Sequence, residues 1–134
     1  MPFVDTVTLF AAFFEDEKHH LKAKKILRAI ADGKIKRAVF SDYILDELLT
    51  IVRKKKNAAV SNFVLDEIWN SEIELVKIES KHLALAFEIF KKYPSLSFTD
   101  ATTVACMFDN KIHEIYSFDR DFDSVPKIVR LEEM

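Results

Sequence analysis

The sequence predicts a three-layer α/β/α sandwich in which helices cover both faces of a central, mainly parallel sheet of about five strands. Three observations predict this class. Short β-branched or aromatic runs alternate with longer helical patterns, which is typical of βαβ units. The apolar share of 49% and the 12 Phe among 134 residues are sufficient for a packed core. No repeat, low-complexity tract or linker divides the chain, so we expect one domain over residues 1–134.

The first element is a short buried strand that ends at about Asp5, followed by a helix that begins near Thr6. Phe3 and Val4 precede the aspartate, and a mostly apolar run follows it. An ionised side chain is rarely left in such surroundings unless its charge is compensated. Asp5 then lies at the carboxyl end of a strand, where open α/β sheets bind ligands. The alternative is that Asp5 only caps the next helix, and this stretch by itself favours neither interpretation.

The remaining elements follow from capping residues and from apolar residues at helical spacing. Helices are predicted over residues 16–31, 42–55, 57–69, 80–93 and 99–108, with Asp16, Ser41, Asn57 and Ser80 at the starts of the first four. Strands are predicted over residues 37–40, 73–78, 114–118 and 127–131. Gly33, the only glycine, ends the first of these helices, and Pro94 ends the fourth.

Charge and cysteine content narrow the class of protein. The net charge of −2 gives no global attraction to nucleic acid, so such binding must rest on local basic patches. Cys106 is the only cysteine, which excludes an internal disulfide framework and a Cys-based zinc site. The N-terminal apolar run lacks a basic start, and no apolar stretch approaches the ~20 residues that span a bilayer. We expect a soluble, cytoplasmic protein with no membrane partner.

Asp100 is placed in the first turn of its helix. It shares an i, i+4, i+8 row with Val104 and Phe108, and that row faces inward if the helix buries its apolar side. The alternative is a capping box, because Ser97 and Asp100 have the required spacing.

Asp119 follows a predicted strand directly and begins an acidic turn. Such a turn is often no more than a solvated loop. If the strands are parallel, however, Asp5, Asp100 and Asp119 converge on one edge of the sheet. Carboxylates gathered there repel one another unless a cation joins them, and all-oxygen ligation selects Mg²⁺ or Mn²⁺. The chemistry that such an ion supports best is phosphoryl transfer.

Four segments of the chain carry a family resemblance: Phe-Val-Asp5-Thr, Ser-Asp-Tyr-Ile-Leu-Asp-Glu47-Leu-Leu-Thr, Ser-Phe-Thr-Asp100-Ala and Tyr-Ser-Phe-Asp119-Arg-Asp-Phe. In this order and spacing they resemble the PIN-domain ribonucleases, particularly the VapC-like toxins of prokaryotic toxin–antitoxin pairs. The likeness covers essentially the whole chain. It implies a quartet of acids, Asp5, Glu47, Asp100 and Asp119, around one or two divalent ions. Without the resemblance, Glu47 would rank as an ordinary surface acid on its helix.

The resemblance also implies a function. It implies endoribonuclease activity in which metal-activated water cleaves RNA and leaves a 5′-phosphate and a 3′-hydroxyl. It further implies a homodimer and inhibition by a small antitoxin protein that inserts a segment into the active-site groove. Two positions depart from the family pattern: Val7 stands where Asn or Ser is common, and Asp109-Asn110 stands where a glycine often precedes the fourth motif's strand.

Several assignments stay open at the level of sequence. Asp121 is a candidate to assist or replace Asp119, or to cap the following turn. A catalytically weak or inactive PIN-fold module that binds RNA or protein is the main alternative function, and a receiver-like phosphoacceptor domain is a lesser one. Candidates for positioning RNA, by charge only, are residues 53–56, Lys22, Lys24, Lys25 and Arg120. The basic run at 53–56 also complements the helix dipole. His19 and His20 are expected to form a solvated helix start.

Overall fold

The structure is a computed structural model that describes all 134 residues. Its strands are β1 (Phe3–Val4), β2 (Val39–Ser41), β3 (Glu74–Val76), β4 (Glu114–Tyr116) and β5 (Val129–Leu131). Its helices are α1 (Thr6–Phe13), α2 (His20–Ala31), α3 (Asp42–Lys55), α4 (Ala58–Trp69), α5 (Ser80–Lys92) and α6 (Phe98–Asp109), and a 3₁₀ turn covers Arg120–Ser124. None of the helices combines the length and the apolar character needed to cross a membrane.

The five strands form one sheet in the order β3-β2-β1-β4-β5, and every neighbouring pair is parallel. This confirms the predicted α/β/α class. Strand β1 is at the centre, and its residues Phe3 and Val4 are fully buried. The chain moves from β1 to one side through β2 and β3, then returns to the other side of β1 with β4. The crevice between the carboxyl ends of β1 and β4 is therefore the topological switch point, where α/β sheets bind ligands.

Most predicted helix boundaries are close to those observed. Ser41 caps α3 by accepting the N–H of Ile44 on its hydroxyl, and Asn57 caps α4 by accepting the N–H of Val60. Helix α2 ends at Ala31, and Gly33 adopts a φ of 77°, the left-handed conformation that glycine enters without a steric penalty. These boundaries agree with the local rules because each depends on a few adjacent residues.

Two predicted caps were wrong. Asp16 does not begin α2, because the chain turns through residues 14–19 and the helix starts only at His20. Its carboxylate instead accepts a 3.5 Å contact from Lys56 Nζ at the end of α3. Ser80 is the first residue of α5 and Glu79 is the cap, with His82 completing the capping box. At Asp16 the chain turns instead of starting a helix, and at Ser80 the preceding residue, Glu79, occupies the cap position.

The strands are shorter than predicted, two or three residues each. Predicted strand residues beyond these limits lie in loops, although the N–H of Ser117 still donates to the carbonyl of Leu131 in β5 at 3.0 Å. One consequence matters for the site. Because β4 ends at Tyr116, the residues Ser117 to Asp119 leave the sheet and lie directly beside the end of β1.

Candidate active-site cleft

The four acids predicted from the sequence line one cleft at the carboxyl ends of β1 and β4. The cleft has a volume of about 380 Å³. Asp5 directly follows β1, and Asp119 lies in the turn after β4. Asp100 lies in the first turn of α6, and Glu47 lies in the middle of α3. The structure thus brings together acids that are separated by up to 114 positions in the chain. A larger open depression of about 660 Å³ adjoins the cleft and shares Glu17 with it.

Asp5 is the most buried of these acids, with 5% of its surface exposed. Its Oδ1 accepts the backbone N–H of Thr8 at 3.0 Å, so Asp5 is the N-cap of α1. Its Oδ2 accepts the hydroxyl of Ser117 at 2.6 Å. The pKa of Asp5 is raised from 3.8 to about 6, because burial, with a smaller contribution from the charge of Asp119, outweighs the lowering effect of the hydrogen bonds from Ser117 and Thr8. Asp5 is therefore both a helix cap and a member of the acidic cleft, because its two oxygens serve different partners.

Ser117 was not identified from the sequence, although it connects two of the predicted acids. It is fully buried, and its Oγ donates to Asp5 and accepts the N–H of Asp119 at 3.0 Å. The register explains this position. Val4 pairs with Tyr116 across parallel strands, so the next residues on each strand, Asp5 and Ser117, leave the sheet side by side. The register of β1 against β4 would have identified this pair, but the sequence of neither strand alone determines that register.

Asp100 forms the predicted capping box with Ser97: its Oδ2 accepts the N–H of Ser97 at 3.1 Å, and Ser97 Oγ accepts the N–H of Asp100 at 3.1 Å. The pKa of Asp100 is raised from 3.8 to about 7, and burial is the largest cause. The hydrogen bonds from Ser97 lower that pKa, and the charges of Asp119 and Asp5 raise it. The capping interpretation is confirmed, but it accounts for only one oxygen of a carboxylate that also lines the cleft.

Asp119 and Asp121 also line the cleft. Asp119 caps the 3₁₀ turn by accepting the N–H of Asp121 on Oδ1 at 2.9 Å. Asp121 is exposed, and its pKa is raised chiefly by the charge of Asp119. Asp121 does not cap the turn, because Asp119 holds that position. Asp121 is therefore available as an additional carboxylate at the mouth of the cleft.

Helix α3 forms one wall of the cleft through Glu47, Ile51 and Lys55. These residues are four apart and so lie in one row along the helix. Val7, which departs from the family pattern, is 44% exposed and lies in the same cleft. It places an apolar side chain where the family commonly has a polar one.

None of the four predicted acids forms a salt bridge with a lysine, arginine or histidine. As the side chains stand, no three His, Cys, Asp or Glu side chains are grouped closely enough to hold a metal ion. The chemistry of the donors nonetheless suits a hard divalent cation, since every candidate is a carboxylate oxygen. Two of these carboxyl groups, Asp5 and Asp100, have pKa values raised by burial and by the charge of Asp119, which is the electrostatic situation that a cation relieves.

The predicted basic candidates are distributed over different surfaces. Lys55 lines the acidic cleft, Lys22 and Lys24 line the adjoining depression, and Lys25 lies at a separate depression. Arg120 is exposed at the start of the 3₁₀ turn.

His19 and His20 lie at the start of α2, as expected, but both are only partly exposed to solvent and each contacts another part of the chain. The ring of His19 stacks on Phe118 with centroids 4.2 Å apart, and His20 Nδ1 lies 2.7 Å from the carbonyl oxygen of Ala11. The first contact joins residues that are far apart in the chain and the second joins neighbouring helices, so neither could be predicted from the pair His-His alone.

Comparison with known proteins gives a consistent result. A sequence profile of the PIN domain matches residues 3–128. Ribonuclease VapC13 of Mycobacterium tuberculosis is 32% identical over 115 residues, which cover 84% of this chain and 86% of that protein. A VapC ribonuclease of Archaeoglobus fulgidus is 27% identical over 130 residues, which cover 95% of this chain and 81% of that protein.

Solved structures share the fold. VapC20 of Mycobacterium tuberculosis, described as a sarcin-ricin loop cleaving toxin, superposes with a TM-score of 0.81 at 23% identity, over 92% of this chain and 94% of that one. A toxin–antitoxin complex from Klebsiella pneumoniae superposes with a TM-score of 0.68 at 17% identity, over 100% of both chains. At these identities the likeness establishes the architecture.

Proposed function

Because this chain belongs to the PIN-domain family, and within it to the VapC ribonucleases, we propose that it is a metal-dependent endoribonuclease that acts as the toxin of a toxin–antitoxin pair. The observation that carries this proposal is the meeting of Asp5, Glu47, Asp100 and Asp119 in one cleft without a basic partner for any of them. The site lies at the switch point of the sheet, where a ligand is expected for this class of fold.

The proposed ion is Mg²⁺ or Mn²⁺, held principally by Asp5 and Asp100, with Asp119 and Glu47 completing its coordination directly or through water. When bound, such an ion polarises the scissile phosphate and activates a water molecule for attack. Ser117 fixes the orientation of the Asp5 carboxylate through its 2.6 Å hydrogen bond. The Ser97 capping box fixes Asp100 in the same way from one oxygen. The protein thus holds the donors in place before the substrate arrives.

Hydrolysis by water, without a covalent intermediate on the enzyme, fits the side chains of this chain. The only thiol, Cys106, is buried, and burial raises its pKa to about 11, so it is protonated and shielded at neutral pH. We expect products with a 5′-phosphate and a 3′-hydroxyl.

The proposal is tested with purified protein and a broad panel of structured and single-stranded RNA. We expect cleavage with Mg²⁺ or Mn²⁺ and none with a chelator. Asp119→Asn is expected to reduce the rate by more than Asp121→Asn, because Asp119 is the more enclosed of the two and lies closer to Asp5 through Ser117. Intact RNA across the whole panel in the presence of either ion would favour the alternative, a binding module with the PIN fold.

Replacing Ser117 by alanine tests the positioning of Asp5 separately. The change removes a hydrogen bond that favours the charged form of Asp5, so it should raise the pKa of Asp5 further and weaken binding of the ion. Loss of a partner that orients a metal ligand costs about 10- to 100-fold in affinity or activity. The measurement is the Mg²⁺ concentration that gives half-maximal cleavage. Ser124→Ala, which alters a serine on the nearby 3₁₀ turn outside the cleft, is the control. Equal Mg²⁺ dependence in both variants would contradict this role of Ser117.

We further propose an antitoxin protein and a second copy of this chain as partners. Structural neighbours that are toxin–antitoxin complexes support the first partner, including one from Rickettsia felis bound to promoter DNA. Large apolar side chains exposed on α4 and α5 support additional protein contacts: Phe63, Trp69, Phe87 and Phe90 are each at least 45% exposed. Sedimentation of the purified chain tests the homodimer, and a monomer at all concentrations would refute it.

A further inference from the structure

The cleft and the proposed RNA substrate both carry negative charge. Its walls carry six carboxylic acids: Asp5, Glu17, Glu47, Asp100, Asp119 and Asp121. RNA brings a phosphate charge with every nucleotide, so the cleft repels its own substrate wherever a cation is lacking. A metal ion acts at the scissile phosphate, but the flanking phosphates need another positive group.

Lys55 is the only lysine or arginine that lines this cleft. We propose that Lys55 binds an RNA phosphate that flanks the scissile one and so positions the strand across the acidic cleft. This inference rests on the proposed function, because it names the group that holds the substrate of that reaction.

The geometry of α3 supports this assignment. Glu47, Ile51 and Lys55 form one row that faces the cleft. Eight residues along an α-helix correspond to about 12 Å, so Lys55 lies two turns away from Glu47. Its ammonium group therefore suits a neighbouring phosphate rather than the scissile one.

The ammonium group of Lys55 is held in place but not neutralised. Its Nζ lies 5.3 Å from the centroid of the Phe10 ring, which itself is buried and lines the cleft. Lys55 forms no salt bridge, although six acids line the same cleft. The aromatic ring attracts the cation without using its N–H donors, so these donors stay available for phosphate oxygens.

The neighbouring basic residues are directed elsewhere. Arg53 donates to Ser61 Oγ and Asn62 Oδ1, both at 3.0 Å. Lys56 pairs with Asp16 at 3.5 Å and lies over Phe14. Lys54 lines a separate depression between α3 and α4. Of the run from Arg53 to Lys56, only Lys55 reaches the cleft.

This difference supplies a matched control. Lys54 and Lys55 are adjacent exposed lysines in the last turn of the same helix, so both complement the helix dipole to a similar extent. Replacing either one by alanine changes the net charge equally. Only the loss of Lys55 removes a charge from the cleft.

The test compares Lys55→Ala and Lys54→Ala in steady-state cleavage of one RNA with Mg²⁺. We expect Lys55→Ala to raise KM about tenfold with kcat nearly unchanged, as for loss of one charge-assisted contact to phosphate. Lys54→Ala should stay within about twofold of the parent, since it alters only a surface charge outside the cleft. In RNA-binding titrations, Lys55→Ala should reduce the slope of log affinity against log salt by about 0.7, and Lys54→Ala should leave it unchanged.

Two further variants sharpen the result. Lys55→Arg should retain most of the affinity for RNA, because it keeps the positive charge. Lys55→Glu should bind RNA more weakly than Lys55→Ala does. Thermal denaturation of each variant shows whether it is folded. Equal KM values and equal salt slopes for Lys55→Ala and Lys54→Ala would overturn the inference, as would a fall in kcat alone.

Failure of the inference is distinguishable from failure of the proposed function. If the parent protein cleaves RNA and Lys55→Ala behaves as Lys54→Ala does, only the role of Lys55 is refuted. If the parent cleaves no RNA, the ribonuclease proposal fails, and the binding titrations alone decide whether Lys55 contacts a phosphate.

Discussion

Replacing Asp5 by asparagine is expected to lower RNA cleavage by about 10²- to 10⁴-fold while making the metal-free protein more stable. The loss of activity follows because a metal ion contributes several kcal/mol to phosphoryl transfer, and each 1.4 kcal/mol corresponds to about tenfold in rate. The gain in stability follows from burial: at neutral pH, Asp5 is charged although only 5% of it is exposed.

The size of the stability gain can be bounded. A rise in pKa from 3.8 to about 6 corresponds to about 3 kcal/mol of destabilisation when Asp5 is charged. Asparagine keeps the cap to the N–H of Thr8 through its carbonyl oxygen, but it fits the hydroxyl of Ser117 less well. We therefore expect a net gain of about 1 to 2 kcal/mol in the free energy of unfolding, measured by denaturant titration in a chelator at a pH above about 7.

Asp66→Asn is the control for this comparison, because Asp66 is an exposed acid on α4, outside the cleft. It should change neither activity nor stability appreciably. A second readout is growth on expression: the parent should arrest it, and Asp5→Asn should relieve the arrest. Full activity in Asp5→Asn, or a large loss of stability, would contradict the assignment of Asp5 as a buried ligand.

The second large effect concerns pH. The pKa values of Asp5 and Asp100 are raised in the folded protein to about 6 and about 7. Well below pH 3.8, the pKa of both groups in the unfolded chain, they are protonated in the folded and unfolded states and make no difference to stability. As the pH rises to about 7, the unfolded chain releases these protons more readily than the folded one. The contribution of the two acids to stability therefore falls over this range in the metal-free protein.

A divalent ion should reverse this trend, because it favours the charged forms of both carboxylates. The rise in Tm caused by saturating Mg²⁺ is expected to be small near pH 5 and several degrees near pH 8, because about 1 to 2 kcal/mol of stabilisation corresponds to a shift of that size in a domain of this length. The measurement is thermal denaturation with Mg²⁺ or with a chelator across this range, and it needs no RNA.

Asp100→Asn isolates the effect from the other acids. The pKa of Asp109 is lowered chiefly by His82, and the pKa of Glu132 is lowered chiefly by Arg130. The contribution of these two acids to stability therefore increases as the pH rises, opposite to that of Asp5 and Asp100. Their contribution is common to parent and variant. The difference in Tm between the two proteins without Mg²⁺ should grow from about pH 4 to about pH 7, with Asp100→Asn the more stable. A pH-independent Mg²⁺ effect, or none, would argue against ion binding by these carboxylates.

Much of the fold could be predicted because its determinants are local. The alternation of short apolar strands with amphipathic helices gave the α/β/α class, and capping residues such as Ser41 and Asn57 gave the helix starts. The same local rules failed at Asp16, because the chain turns through residues 14–19 and α2 begins only at His20. A side chain's preference for a cap does not by itself determine where the helix starts.

In the candidate site, too, some features could be predicted from the sequence and others depend on the folded structure. For Asp5 and Asp100, the choice between helix cap and site residue was open from the sequence, and the structure shows that each accepts a hydrogen bond at a helix start and also lines the cleft. Family resemblance, rather than periodicity, selected Glu47, and the structure places it in the cleft. The metal-binding roles of all four acids stay predictions until the Mg²⁺ experiments are done.

The sequence by itself determined the fold class, the identity of the acidic residues and their positions at element ends, since these depend on spacing and on neighbours in the chain. Only the tertiary structure decided that Ser117 joins Asp5 to Asp119 and that Lys55, unlike Lys54, faces the acids. The physical reason is that hydrogen bonds and electrostatic contacts depend on distances of a few ångströms between groups far apart in sequence. Those distances are fixed by strand register and helix rotation, which exist only once the chain is folded.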